Sequence, residues 1–383
     1  MSAKSVLKIT GYVFAFLISS IIILAFLVDA NTFKPRIQAL AAEHGIALNM
    51  RGDLHWAYWP AIGLAVNDVS VADSDQPQTM LADVKKASFL VAFVPLMRGD
   101  FQVKHILVDG ATINLDVNEQ GVGNWENIVK KKATDANEPQ ASQETAPSQQ
   151  TGQESELKAD KKDLKLSIEK ISLHDSQITY TNSAKGSTLA LSAINLDMKD
   201  VNLQGKPFEL DASWDTLLTQ TKENPTKPDS GPLNIKSKLH STLAIGDSMN
   251  SLTVNNGELE LNIHSKESAN LKLQYALTID DLKNNLSYKG KLVIPALNAK
   301  QFMTAFGVLY KTANEKTLTD VSFTSDITGD KKQIAFNALT LKIDKTNFGG
   351  SVAVKNFSTQ DIFINLQGDD INADDYLPPP LPT

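Results

Sequence analysis

The chain has 383 residues, no cysteine, six histidines and a formal net charge of −7, with a pI of about 5.5. That acidic balance excludes the basic face a nucleic-acid partner requires, and the lack of cysteine excludes disulfides, thiolate metal sites and cysteine nucleophiles. Hydrophobic residues reach 42%, but one N-terminal run inflates the figure, so the remainder is lean in apolar mass, as half-buried sheet is.

Residues 9–28 read ITGYVFAFLISSIIILAFLV, without a charge. At about 1.5 Å per residue the run covers about 30 Å, the hydrocarbon thickness of a bilayer. A cleaved signal has a shorter apolar region, about 7–15 residues, so the pattern predicts a retained single-pass transmembrane anchor over residues 1–30. Lys4 and Lys8 before the run compete with Lys34 and Arg36 after it, which leaves orientation undecided by charge alone.

The next stretch, NTFKPRIQALAAEHG, spaces Phe33, Ile37, Leu40 and Ala41 as one face of a short helix, ended by Gly45. It reads either as an amphipathic helix at the membrane surface or as a cap packed on the first strands. Strand patterns follow over residues 46–56, 62–71, 86–94, 101–108 and 111–117. Trp56, Trp59 and Pro60 crowd the start of this region, before the alternation of Ile62, Leu64 and Val66 and, after a break, Val69 and Val71. NWENIVKK reads as a closing helix, completing a region over 31–130.

Residues 131–163 hold almost no large apolar side chain and are expected to be a disordered polar linker, unable to offset their ordering entropy by burial. A β-rich region, 164–383, comes next. In LKLQYALTID, Leu271, Leu273, Tyr275, Leu277 and Ile279 fall on one strand face, and KQIAFNALTLKID does the same with Leu339, Leu341 and Ile343. One helix is expected in NAKQFMTAFGVLYKT, with Phe302, Phe306, Leu309 and Tyr310 in a stripe. Spacing between strands leaves no room for crossover helices, so the fold class is mostly antiparallel β with few helices.

Catalytic patterns are missing. The histidines show no HxH or HExxH spacing, and there is no nucleophile elbow, phosphate loop or dinucleotide fingerprint. Hence no catalytic residue, cofactor or metal ligand is assigned, and the chain is expected not to be an enzyme. The acidic groups Asp73 with Asp75, and Asp369 and Asp370 with Asp374 and Asp375, lack calcium-loop spacing; the second group reads as a solvated strand end. Arg-Gly-Asp occurs at 51–53 and 98–100, where hairpin turns with Gly at positive φ explain both copies. The one-sided apolar alternation fits a sheet with one face on a core. It also fits an open groove whose apolar face, too large to leave bare, holds lipid chains.

Taken with the anchor, the stretch DANTFKPRIQALAAEHGIALNMRGDLHWAYWPAIGLAVNDVSV, then VPLMRGDFQVKHILVDGATINLDVNEQGVGNW and the C-terminal INADDYLPPP, resembles the AsmA family of bacterial envelope proteins. The resemblance is carried by positions such as Phe33, Pro35, Gly45, Gly52, Trp56, Pro60, Gly99, Asp109, Gly110 and Trp125. It implies an inner-membrane anchor, a periplasmic body and an elongated curved β groove related to chorein-type lipid-transfer bridges. By that resemblance the partners are membrane phospholipids and other envelope proteins, and the role is phospholipid transport and outer-membrane homeostasis. The groove-lining set would be Leu271, Leu273, Tyr275, Leu277, Ile279, Leu339, Leu341 and Ile343. The alternative is a structural or regulatory factor in outer-membrane protein assembly with a dry sheet interior. A count of roughly 16–18 strands at about 4.8 Å each predicts a ladder of about 80 Å.

Overall fold

Period-two alternation, repeated from residue 46 almost to the C-terminus, has one outcome: strands that bury one face and wet the other. The computed structural model describes residues 29–57, 61–92, 95, 102–126, 167–220, 232–246, 249–265 and 267–379. The expected anchor run 9–28, the linker 131–163, Trp59, Pro60, most of NWENIVKK and the second Arg-Gly-Asp lie outside them. Among the described residues no helix is long and apolar enough to cross a membrane.

A 3-10 turn (Ala30–Phe33) and helix α1 (Lys34–Glu43) lead into β1 (Ile46–Met50), β2 (Leu54–Ala57), β3 (Ala61–Asp73), β4 (Gln76–Ala92) and β5 (Gln102–Val117). Then come β6 (Ser167–Asn182), β7 (Ser187–Asn202), β8 (Phe208–Gln220), β9 (Leu233–Ile245), β10 (Leu252–His264), β11 (Ser268–Asp280) and β12 (Ser287–Leu297). Helix α2 (Ala299–Ala305) precedes β13 (Val321–Asp330), β14 (Ile334–Ile343), β15 (Thr346–Val354) and β16 (Ile362–Gly368). All sixteen strands belong to one sheet, in chain order from β3 onward, with β1 and β2 end to end on one edge of β3. Fourteen steps of about 4.8 Å separate β1 from β16, a ladder of about 67 Å rather than 80. The sixteen strands fall within the expected count; the ladder is shorter because β1 and β2 share one rung and fifteen rungs are separated by fourteen steps. Gly110 joins the expected strands 101–108 and 111–117 into one at φ +64 without a register shift to β4 or β6, a conformation that only a residue without Cβ takes freely.

Every pair is antiparallel except one. β5 and β6 run parallel from Gln102↔Ser167 to Val117↔Asn182. The connection between them contains the long polar stretch of residues 131–163, ample for the crossover of about a dozen residues or more that a parallel return needs.

Two details of the local reading change. Gly52 does not take positive φ; a side chain there would collide with the backbone carbonyl of Asn67, so the residue serves close approach. Its N–H and that of Arg51 donate to Asn67 O and Asp68 O across a bulge. The second expected helix is also shorter. Gly307 at φ +79 closes α2 as its C′ residue, with Gly307 N–H donating to Thr304 O and Val308 N–H to Met303 O at 2.9 Å each. Leu309 and Tyr310 therefore lie beyond the helix, and Leu309 is 72% exposed.

Candidate functional site

Strand registers decide which side chains share a face. Leu271, Leu273, Tyr275, Leu277 and Ile279 stand opposite Leu261, Leu259, Gly257, Val254 and Leu252 of β10. On the other side Tyr275 and Leu277 oppose Leu292 and Gly290 of β12, which oppose Ser325 and Ile327 of β13. Phe323 and Val321 of β13 then oppose Leu341 and Ile343 of β14, while Leu339 opposes Gly350 of β15. All eight residues singled out in the sequence therefore point to one face, although some 60 residues separate the two groups. The same face runs back through Ile113, Val84 and Val69 to Met50, and forward to Ile364 and Leu366.

The break between Val66 and Val69 is at Asp68, φ +52, where the pairing with β4 passes over Asp68 and Lys85 without a register shift, and it keeps both halves of β3 on that face. Leu271, Leu273, Tyr275, Leu277, Ile279, Leu341 and Ile343 are half-buried by their neighbours in the sheet, and Leu339 is buried. α2 closes one margin: Ala305 packs on Ile263 and Ala269, flanked by Leu233, Ile235, Leu261 and Phe302. At the first edge, Phe33 meets Trp56 edge-on at 6.0 Å, which joins the turn before α1 to the start of the sheet. Phe33 and Leu40 remain 38% and 51% exposed, so the apolar stripe of α1 is only partly covered.

The opposite face is charged. Ser172, on β6, donates to Asp197 Oδ1 at 2.7 Å and lies 3.2 Å from His105 Nε2; Lys170 and His174 also reach Asp197, at 3.0 and 3.4 Å. Burial works against the Asp197 carboxylate, but hydrogen bonds from Ser172, Lys170 and His174 outweigh it and hold its pKa down to about 2. Burial and the neighbouring Lys170 cation push His105 below its usual range. Serine, histidine and aspartate do meet here, but in an order unsuited to nucleophilic attack. The serine proton goes to aspartate rather than to histidine, and the hydroxyl is buried.

Farther along, His240 Nδ1 contacts Asp211 Oδ1 at 2.7 Å, which raises its pKa, and Lys272 pairs with Glu258 at 2.6 Å. His240, Asp211 and Glu258 border a shallow open depression of about 350 Å³ on this polar face. Among the described residues no group of three or more acidic or histidine side chains is placed to hold a metal. Asp73 turns its Oδ1 to the N–H of Asp75 and Asp369 caps Asn347, so these acidic pairs serve turns and strand ends.

A model of the AsmA family matches residues 3–379 of this chain. The chain belongs to the AsmA family. Protein AsmA of Escherichia coli (strain K12) is 28% identical over 108 residues, covering 28% of this chain and 17% of that relative. The aligned stretch thus spans about a sixth of the curated relative's length. No solved structure matches the chain.

In this AsmA-family chain the C-terminal phrase INADDYLPP folds back on the loop after α2. Ala313 N–H donates to Leu377 O at 2.7 Å, Asn314 N–H to Asp375 O, and the Tyr310 hydroxyl to Tyr376 O at 2.8 Å. Tyr376 in turn donates to Asp344 Oδ2 at 3.0 Å, and Asp344 also accepts the N–H groups of Leu318, Thr319 and Asp320. Sequence reasoning did not single out this knot or the Asp197 network. Each joins residues 20 to 90 positions apart that carry no shared spacing.

Proposed function

We propose that the apolar face of the sheet binds phospholipid acyl chains, and that the protein contributes to phospholipid transport and outer-membrane homeostasis without catalysing a reaction. The observation that carries this reading is the continuous apolar face from Met50 to Leu366, with its central side chains half-buried and α1 and α2 packed against β1 and β11. An apolar surface of that extent needs an apolar occupant, and acyl chains match a long, sequence-tolerant row of Leu, Ile and Val. Membership of the AsmA family supports an envelope setting. On this reading residues 9–28 anchor the chain in the inner membrane with the body in the periplasm, and Phe33 of the 3-10 turn and Leu40 of α1 rest against the bilayer surface. The ladder of about 67 Å formed by the described residues offers acyl chains a surface of that length.

A photo-crosslinking residue installed in the full chain, in cells, tests the assignment by face. At Leu273 it is expected to yield phospholipid adducts, and at the adjacent Gln274, on the polar face, essentially none. Leu277→Glu in the Leu273 probe is expected to lower the yield about tenfold, since it drives a carboxylate into the apolar row. Equal labelling at 273 and 274 would leave a scaffold with a dry sheet.

A further inference from the structure

Among the described residues, eleven of the eighteen exposed large hydrophobic ones fall between 306 and 377, so exposed apolar surface gathers in the C-terminal part of the chain. β16 is the edge of the sheet there. All seven of its residues, Ile362 to Gly368, are exposed, and none is charged or proline, the features by which edge strands usually avoid pairing. Asp361 O accepts from Lys355 N–H and Asp369 N–H donates to Asn347 O, so odd-numbered residues bond to β15. By alternation the N–H and C=O groups of Ile362, Ile364 and Leu366 point outward, and these residues carry the apolar face described above. Among the described residues after β16 none adds a rung here: residues 375–377 bond to the loop at 310–314 instead.

We infer that β16 is a self-complementary edge that pairs antiparallel with β16 of a second copy, joining two apolar faces into one. Charge selects the register. Centred on Asn365, the pairing would set Asp361 against Asp369 of the other copy at both ends, which is repulsive. Centred on Ile364, it sets Ile364 against Ile364 and Ile362 against Leu366, with Asp361 facing Gln367, so three apolar pairs continue the face and no like charges meet. A twofold axis normal to the sheet keeps both apolar faces on the same side and places the two β1 edges at opposite ends. The inference stands whether or not lipid fills the face, because the lipid adducts above read β11 and the edge is read separately.

The chain has no cysteine, so single-cysteine variants of the full chain give a clean test in membranes under mild oxidation. Residues directly opposite in a hydrogen-bonded pair have Cα atoms about 5.5 Å apart, within disulfide range. Ile364→Cys, at a 67% exposed position that tolerates the change, is expected to give a disulfide-linked dimer at least about tenfold above the exposed control Ser358→Cys. Adding Leu366→Lys to Ile364→Cys is expected to abolish that excess while the circular dichroism of the sheet stays unchanged. Dimer no greater than the control, or greater dimer from Asn365→Cys than from Ile364→Cys, would overturn the inference.

Discussion

Asp344 shows how much structure one carboxylate can organise. It stands at φ +54 between β14 and β15 and gathers three backbone N–H groups and the Tyr376 hydroxyl. Burial would raise its pKa, but the hydrogen bonds from Leu318, Tyr376, Asp320 and Thr319 prevail and lower it. A carboxylate with a depressed folded pKa contributes stability that is complete above its unfolded value of about 4 and is lost as pH falls through the folded value. The protection factors of the amides at residues 318–320, exchange rates taken relative to the unfolded chain at the same pH, are therefore expected to be high at pH 6 and to fall below about pH 4. Tyr376→Phe removes one donor to a charged acceptor and should weaken this local structure by about 1.5–3 kcal/mol at neutral pH, visible as faster exchange there. Unchanged exchange in that variant would mean that the backbone donors alone hold the loop.

Elements in this sheet are long strands made curved by bulges. Non-glycine residues at positive φ recur inside them: Asp68 in β3, Asp175 in β6, Ala193 in β7, Asn256 in β10 and Ala338 in β14. Asp and Asn tolerate this conformation, whereas alanine pays roughly 1–2 kcal/mol for it. Ala338 sits at φ +46 where the β13–β14 register shifts, so Ala338→Gly should raise the thermal midpoint by removing that strain. Part of the gain, about 0.4–1 kcal/mol, is offset by the freer unfolded chain, leaving a net increase of a few tenths to about 1 kcal/mol. A lower midpoint would show that the alanine methyl is needed for packing. Such bulges explain what the amino-acid sequence made legible. Which side chains are apolar partners along a strand follows from alternation, and the register placed all eight residues picked from β11 and β14 on one face. Where alternation breaks, as at Asp68 or Gly110, the sequence carries no mark that separates a single positive-φ residue within a strand from a turn, so β5 reads as two strands. The helix stripe to Tyr310 failed for a like reason: Gly307 overrides apolar spacing because its positive φ ends the helical hydrogen bonding.

At the scale of the molecule, each strand from β4 onward pairs only with its neighbours in chain order, so the sheet is close to a one-dimensional array whose stability sums over adjacent pairs. The parallel β5–β6 pair is then the single seam between the region before the long connection and the region after it. That seam is extensive. It runs the full length of both strands and is reinforced by Ala111 N–H to Ser176 Oγ at 3.1 Å, Gln177 Nε2 to Thr112 Oγ1 at 2.9 Å and the Lys104–Glu169 ion pair. Apolar pairs line it as well: Ile106 with Ile171, Val108 with Leu173, Ile113 with Ile178 and Leu115 with Tyr180. The covalent connection is therefore dispensable once the sheet has formed. A protease site inserted between Gln149 and Gln150 should allow complete cleavage with the two fragments still migrating as one species in size exclusion, parting only in denaturant. Separation on cleavage would mean that two sheets, rather than one, carry the apolar face.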